Sequence, residues 1–149
     1  MRDKCAHLIS GLSSPFVIIT GFGLWLVAAN VTSTDNFLRY GLLFLLLIIG
    51  PPLCYILISM KRGHITDIHV AVREQRIGPF LAAILGASLL ALIYHKLHAP
   101  ENLVILAINE AVCGGVFALV SGYFKISIHA ASYTGAVLLV TLLISSQFI

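Results

Sequence analysis

Five long apolar runs, residues 14–31, 40–60, 79–97, 103–124 and 130–149, leave this chain few ways to fold. A bilayer's hydrocarbon core, about 30 Å thick, is crossed by roughly 20 helical residues, and each run comes close to that length. Backbone groups in lipid must be satisfied within the segment. These runs are far too long for barrel strands, so helices are the solution. Composition agrees: 59% of the residues are hydrophobic and 10% charged, against about 25% charged in a soluble domain. The expectation is an all-α integral membrane protein, a bundle of five transmembrane helices forming one domain over residues 1–149. The first run is too long for a cleavable signal peptide, and no small-x-small site follows it.

The cations divide unevenly along this zigzag. Arg2, Lys4, Lys61, Arg62, Arg73, Arg76 and Lys125 fall on one side, Arg39 and Lys96 on the other. The excess marks the cytoplasmic side, which puts the N-terminus there. Some of these charges are also candidates for binding substrate. That would inflate the count without changing which loops share a side.

No internal repeat, low-complexity run or linker divides the chain. Gly50-Pro51-Pro52 interrupts the second run. Proline removes helix hydrogen bonds, so a kink that shapes packing is expected there, with a functional hinge as the alternative. Gly114, Ala118 and Gly122 recur at fours in the fourth run, and Ser127, Ala131 and Gly135 in the fifth. Such ridges let membrane helices approach closely, so these two helices are expected to pack together, or else to pair between copies. Cys5, Cys54 and Cys113 form no spacing motif. Neither a disulfide nor a metal site is expected from them.

Most of the polar chemistry lies in the loop at positions 61–78: Lys61, Arg62, His64, Thr66, Asp67, His69, Arg73, Glu74, Gln75 and Arg76. Thr66 or Asp67 could N-cap a short helix running to about Arg76. Arg73 and Arg76, three apart, would then share a face and fork onto one anion, while Ile68 and Val72 would lie against the membrane surface. The plain alternative is that these cations only anchor the topology. His64, Asp67 and His69 do not share one helix face and match no metal-ligand spacing, so they read as solvated loop residues. Asn109 and Glu110 lie two turns inside the fourth helix. An intramembrane carboxylate is costly, but this one sits on the half away from the basic loops and reads as structural. His95 and His98, flanking Lys96, read as headgroup-level residues.

Lys125-Ile126-Ser127-Ile128-His129 stands where the fifth helix begins, followed by small residues. Helix-start amides carry unpaired N–H groups and partial positive charge, which suits an anion. Lys125 adds a charge, Ser127 a donor, and His129 a group able to trade a proton near neutral pH. The third and fourth helices make one excursion and return, so this segment and the 61–78 loop open on the same face. Together they supply charge stabilisation, positioning and a proton for a leaving group, the requirements of phosphoryl transfer.

Lys125-Ile-Ser127-Ile-His129-Ala-Ala resembles the second signature, Pro-Ser-Gly-His, of the type-2 phosphatidic acid phosphatase superfamily. Arg73-Glu-Gln-Arg76-Ile-Gly-Pro79 resembles its first, Lys-x6-Arg-Pro. The resemblance implies that Arg73, Arg76, Lys125 and Ser127 hold phosphate and that His129 protonates the leaving group, with no cofactor and no metal. The departures are plain. Ile126 and Ile128 replace Pro and Gly, Arg76 is not adjacent to Pro79, and Lys125 lies outside the usual motif. Nothing matches the third signature, Ser-Arg-x5-His-x3-Asp, which carries the nucleophilic histidine of a phospho-histidine intermediate. After His129 the chain holds no Arg, His or Asp. The resemblance therefore implies a sixth helix beyond a truncated end, or a natural five-helix relative without catalysis.

The function expected from this resemblance is hydrolysis of a lipid or isoprenoid phosphate at a membrane, with no nucleic-acid partner. The alternative is a non-catalytic polytopic protein that binds anionic lipid headgroups or serves as an assembly subunit. Prenyltransferases and CDP-alcohol transferases need Asp-rich motifs that six scattered acidic residues do not provide.

Overall fold

The computed structural model describes residues 14–68, 70, 72–124, 127, 130 and 132–135. These residues are helical with connecting turns, and no strand occurs among them. Helix α1 spans Pro15–Asn30, α2 Thr34–Phe44, α3 Gly50–Lys61, α4 Ile77–Lys96 and α5 Glu101–Tyr123. A π-turn, Leu45–Ile49, joins α2 to α3, so that Thr34–Lys61 is one continuous 28-residue helical segment. Among the described residues, three segments are long and apolar enough to cross a membrane: Thr34–Lys61, Arg73–Lys96 and Glu101–Tyr123. They correspond to the second, third and fourth runs. Helix α1, from the first run, has 16 residues, short of the roughly 20 that a crossing takes. Most of the fifth run lies outside the described residues; Ala130 and residues 132–135 are helical.

The chain divides into two compact units, one of Leu26–Ile126 and one of Met1–Trp25 with Ser127–Ile149. In the second of these, Pro15 opens α1, where a missing N–H is no loss, and the Ser14 carbonyl accepts from the amides of Val17 and Ile18. The rings of Phe22 and Trp25 lie 5.4 Å apart on the same helix.

The larger unit is built around α4, which packs against α5, α3, the π-turn and α2. Its core is Phe44 from α2, Leu90 and Tyr94 from α4, and Leu103, Leu106 and Ala107 from α5. The Tyr94 hydroxyl donates to the Tyr40 carbonyl at 2.7 Å, and the two rings meet edge to face. Nearby, Asn102 Nδ2 donates to Asn30 Oδ1 at 2.7 Å, and Asn30 Nδ2 donates to the Leu26 carbonyl of its own helix. Large apolar side chains stand exposed on the outward faces, among them Leu85, Leu89 and Leu92 of α4 and Ile105, Ile108, Val112, Val116 and Leu119 of α5.

Backbone chemistry explains the π-turn. In an α-helix the Leu47 carbonyl would accept from position 51, and in a π-helix from position 52. Both are proline, without an N–H. Around this gap the Gly50 amide reaches back to the Leu45 carbonyl, a five-residue bond. The Leu47 carbonyl turns instead to Gly86 of α4, where it occupies the place of a Cβ. A Cα–H···O contact of this kind is worth about 0.5–1 kcal/mol. Gly50-Pro51-Pro52 thus shapes packing.

The C-terminal ends of α3 and α4 close in the same way. After α3 the amides of Gly63 and His64 bond the Met60 and Ser59 carbonyls, with Gly63 at φ 74°. After α4 the amides of His98 and Ala99 bond the His95 and Tyr94 carbonyls, with His98 at φ 51°. This is the Schellman closure, whose left-handed position favours glycine. His98 therefore carries a backbone role beside its place at the helix end.

Gly114 meets the Ile84 side chain of α4. The small ridge of the fourth run therefore serves the α4–α5 seam at that point, whereas Gly122 is exposed. Packing of α5 on the fifth run is outside the described residues.

Candidate functional site

The loop between α3 and α4 does not form the expected helix from Thr66 or Asp67 to Arg76. Only a 3-10 turn, Arg73–Gln75, precedes α4. Thr66 caps nothing; its amide and hydroxyl both donate to Gln75 Oε1, at 3.2 and 3.3 Å, and pin the loop across its width. Ile68 and Val72 are exposed, whereas Ile65 and Val70 are buried. The periodicity was a poor guide because Val70 is at φ 48°, which breaks helical register at a cost of about 1–3 kcal/mol for a β-branched residue.

That strained position is held by Arg76. Its Nε donates to the Val70 carbonyl at 2.8 Å, and the residue is 7% exposed. Arg76 also precedes α4 directly and acts as its N-cap residue without a side-chain cap. The Phe80 amide bonds the Arg76 carbonyl, and Pro79 has no N–H. The amides of Ile77 and Gly78 are therefore the first-turn donors of a 20-residue helix, and the partial positive charge of that terminus faces the loop. The end of the Tyr55 ring of α3 lies where a Cβ on Gly78 would stand.

Arg73 lies at the rim. Its Nε and Nη2 engage Glu74 Oε1 at 3.1 and 3.0 Å, and its Nη1 donates to the Tyr123 carbonyl at 3.2 Å. Tyr123 ends α5, where carbonyls lack helical partners, and a cation there is worth about 0.3–1 kcal/mol. The contact joins residues fifty apart and places the loop against the end of α5, two residues before Lys125 in sequence. The Arg73–Glu74 pair is exposed, and such pairs contribute about 0–1 kcal/mol. Arg73 and Arg76 therefore stand at one end of the α4–α5 pair, but on a 3-10 turn and its cap, with different partners.

Ser127 caps a helix start: its Oγ accepts from the Ala130 amide at 3.3 Å. Accepting leaves its O–H as a donor. Ser127 belongs to the smaller unit. Lys125 and His129 lie outside the described residues, as does His69. Among the described residues no group of His, Cys, Asp and Glu is arranged to hold a metal. Glu110 is half-buried on α5, thirteen residues before Tyr123, or about 20 Å along the helix, and takes no part in this end.

Sequence reasoning missed Ser121. It is 1% exposed, and its Oγ has no hydrogen-bond partner, which costs about 1–3 kcal/mol for a buried hydroxyl. The sequence shows only its place, seven residues beyond Gly114 on the same helix face.

No family model, curated protein or solved structure matches the chain. The described fold supports a coarse class, an all-helical protein with three helices fit to span a membrane.

Proposed function

We propose that this chain is a five-span membrane protein with a cytoplasmic N-terminus, related to the type-2 phosphatidic acid phosphatases, that binds the phosphoryl group of a lipid or isoprenoid phosphate. Arg73, Arg76, Lys125 and Ser127 hold the phosphate, and His129 stands as general acid for the leaving group. The observation that carries this reading is the bond from Arg73 to the Tyr123 carbonyl. It brings the first basic loop to the end of α5, from which Lys125 and the second motif follow directly in sequence. The uncapped first turn of α4 adds oriented donors to the same end. Hydrolysis through a phospho-histidine needs a nucleophile with no counterpart among these 149 residues, so binding is the property assigned to this chain.

The test is calorimetric titration of the purified full chain, in detergent, with inorganic phosphate. Saturable binding weakened roughly tenfold or more by Arg73→Ala and by Lys125→Ala is expected, since hydrogen bonds to charged groups are worth about 1.5–3 kcal/mol each. Unchanged binding in both variants would remove these residues from the site.

A further inference from the structure

Among the described residues, Ser121 Oγ is a buried side-chain polar atom without a hydrogen-bond partner. Its position follows from the α4–α5 register. The Phe80 and Phe117 rings face each other at 6.3 Å, and one turn further the Ile84 side chain abuts Gly114. Continued in the antiparallel sense, that pairing puts Ser121 level with Arg76 and Ile77, at the first turn of α4. Ser121 shares the inward face of α5 with Gly114, and both are buried. A serine inside a helix ordinarily returns its hydroxyl to the carbonyl one turn back; here Oγ makes no such bond. By that register the first-turn amides of α4 and the cap residue Arg76 lie level with it, and Arg73 reaches the Tyr123 carbonyl half a turn beyond. The Glu74 carboxylate and the Val70 and Tyr123 carbonyls accept from the two arginines, whereas the first-turn amides of α4 have no side-chain cap, so a tetrahedral oxyanion is what would bridge those amides and the Ser121 hydroxyl.

We propose that Ser121 is a phosphate-contacting residue whose hydroxyl donates to an inner oxygen of a phosphoryl group seated at the first turn of α4. This rests on the phosphate-binding reading above and adds to it a residue from outside both sequence motifs. The anion reaches Ser121 past the rim, where the exposed Arg73–Glu74 pair and the bond to Tyr123 are the contacts that exchange.

The experiment titrates the full-length protein in detergent with inorganic phosphate and, separately, with phosphatidate in mixed micelles, and follows unliganded thermal unfolding. Ser121→Ala and the size-matched Ser121→Cys are compared with Arg73→Ala. The expected result is about tenfold weaker binding of both ligands by each Ser121 variant, with an unliganded melting temperature unchanged or raised, because an unsatisfied buried hydroxyl has been removed. A lowered melting temperature would mean a structural role and overturn the assignment. So would a loss confined to phosphatidate, which would place Ser121 on the lipid portion. Wild-type affinity in both Ser121 variants, with weakened binding by Arg73→Ala, would sink this inference alone. Absence of saturable phosphate binding by the unmodified protein would remove the underlying reading as well.

Discussion

The carbonyl oxygen of Leu47 occupies the position that a Cβ on Gly86 would fill. Two prolines deprive that carbonyl of both helical partners, and the neighbouring helix answers with a residue that has no side chain. Because the obstructing atom is backbone, Gly86→Ala must move a helix rather than a rotamer. Overpacking of this kind costs about 1–3 kcal/mol. A lower midpoint of thermal unfolding in detergent is expected for Gly86→Ala. Gly115→Ala, where a Cβ meets nothing within 4 Å, should be neutral or stabilising by up to about 1 kcal/mol. Equal midpoints for the two variants would contradict the close approach.

Tyr94 makes a second cross-helix tie. It is fully buried, and its hydroxyl bonds the Tyr40 carbonyl. Tyr94→Phe keeps the edge-to-face ring contact and deletes only the hydrogen bond. Interhelical hydrogen bonds in membranes average about 0.6 kcal/mol and reach about 1.7; this short, sealed one should fall in the upper half of that range. Chemical denaturation of the variant measures it, and a change indistinguishable from zero would show that the bond is not formed.

Much of this architecture was legible in the sequence for a simple reason. Apolar length and proline position act locally: all five prolines lie at helix starts or at the π-turn, so boundaries near 79 and 103 could be read directly. The loop was not legible, because its form depends on distant partners. Gln75 reaches back to Thr66, Arg76 to Val70, and Arg73 across to Tyr123. None of these follows a period. Helical spacing therefore assigned Ile68 and Val72 to an apolar face, while Ile65 and Val70 are the buried pair. Ser121 was passed over for a related reason: between Gly114 and Gly122 it looks like another small packing residue, and only the missing hydrogen bond distinguishes it.

Arg76 should be the more structural of the two loop arginines. It is buried and holds the carbonyl of a residue in left-handed backbone geometry. Arg76→Ala should release the loop at a cost of about 1.5–3 kcal/mol, the range for a hydrogen bond to a charged group. Limited proteolysis reads this out as faster cleavage between positions 62 and 76 with the helices intact. Arg73→Ala, which removes a rim contact, should change that rate little. The reverse order would assign the two residues the wrong way round.

Glu74 should oppose anion binding. Its carboxylate sits on the Arg73 fork through Nε and Nη2, the two donors that a phosphate oxygen would also use. The pair is solvent-exposed, so displacing the carboxylate costs about 1 kcal/mol or less. Glu74→Gln removes the competing charge and leaves an amide that holds the fork more weakly. Inorganic phosphate should then bind up to about fivefold more tightly, the factor that 1 kcal/mol corresponds to. The gain should shrink as salt rises, since added ions screen an exposed charge. Titration of wild type and Glu74→Gln at two ionic strengths checks both parts. Weaker binding by the variant would mean that Glu74 orients Arg73 for the anion instead of competing with it.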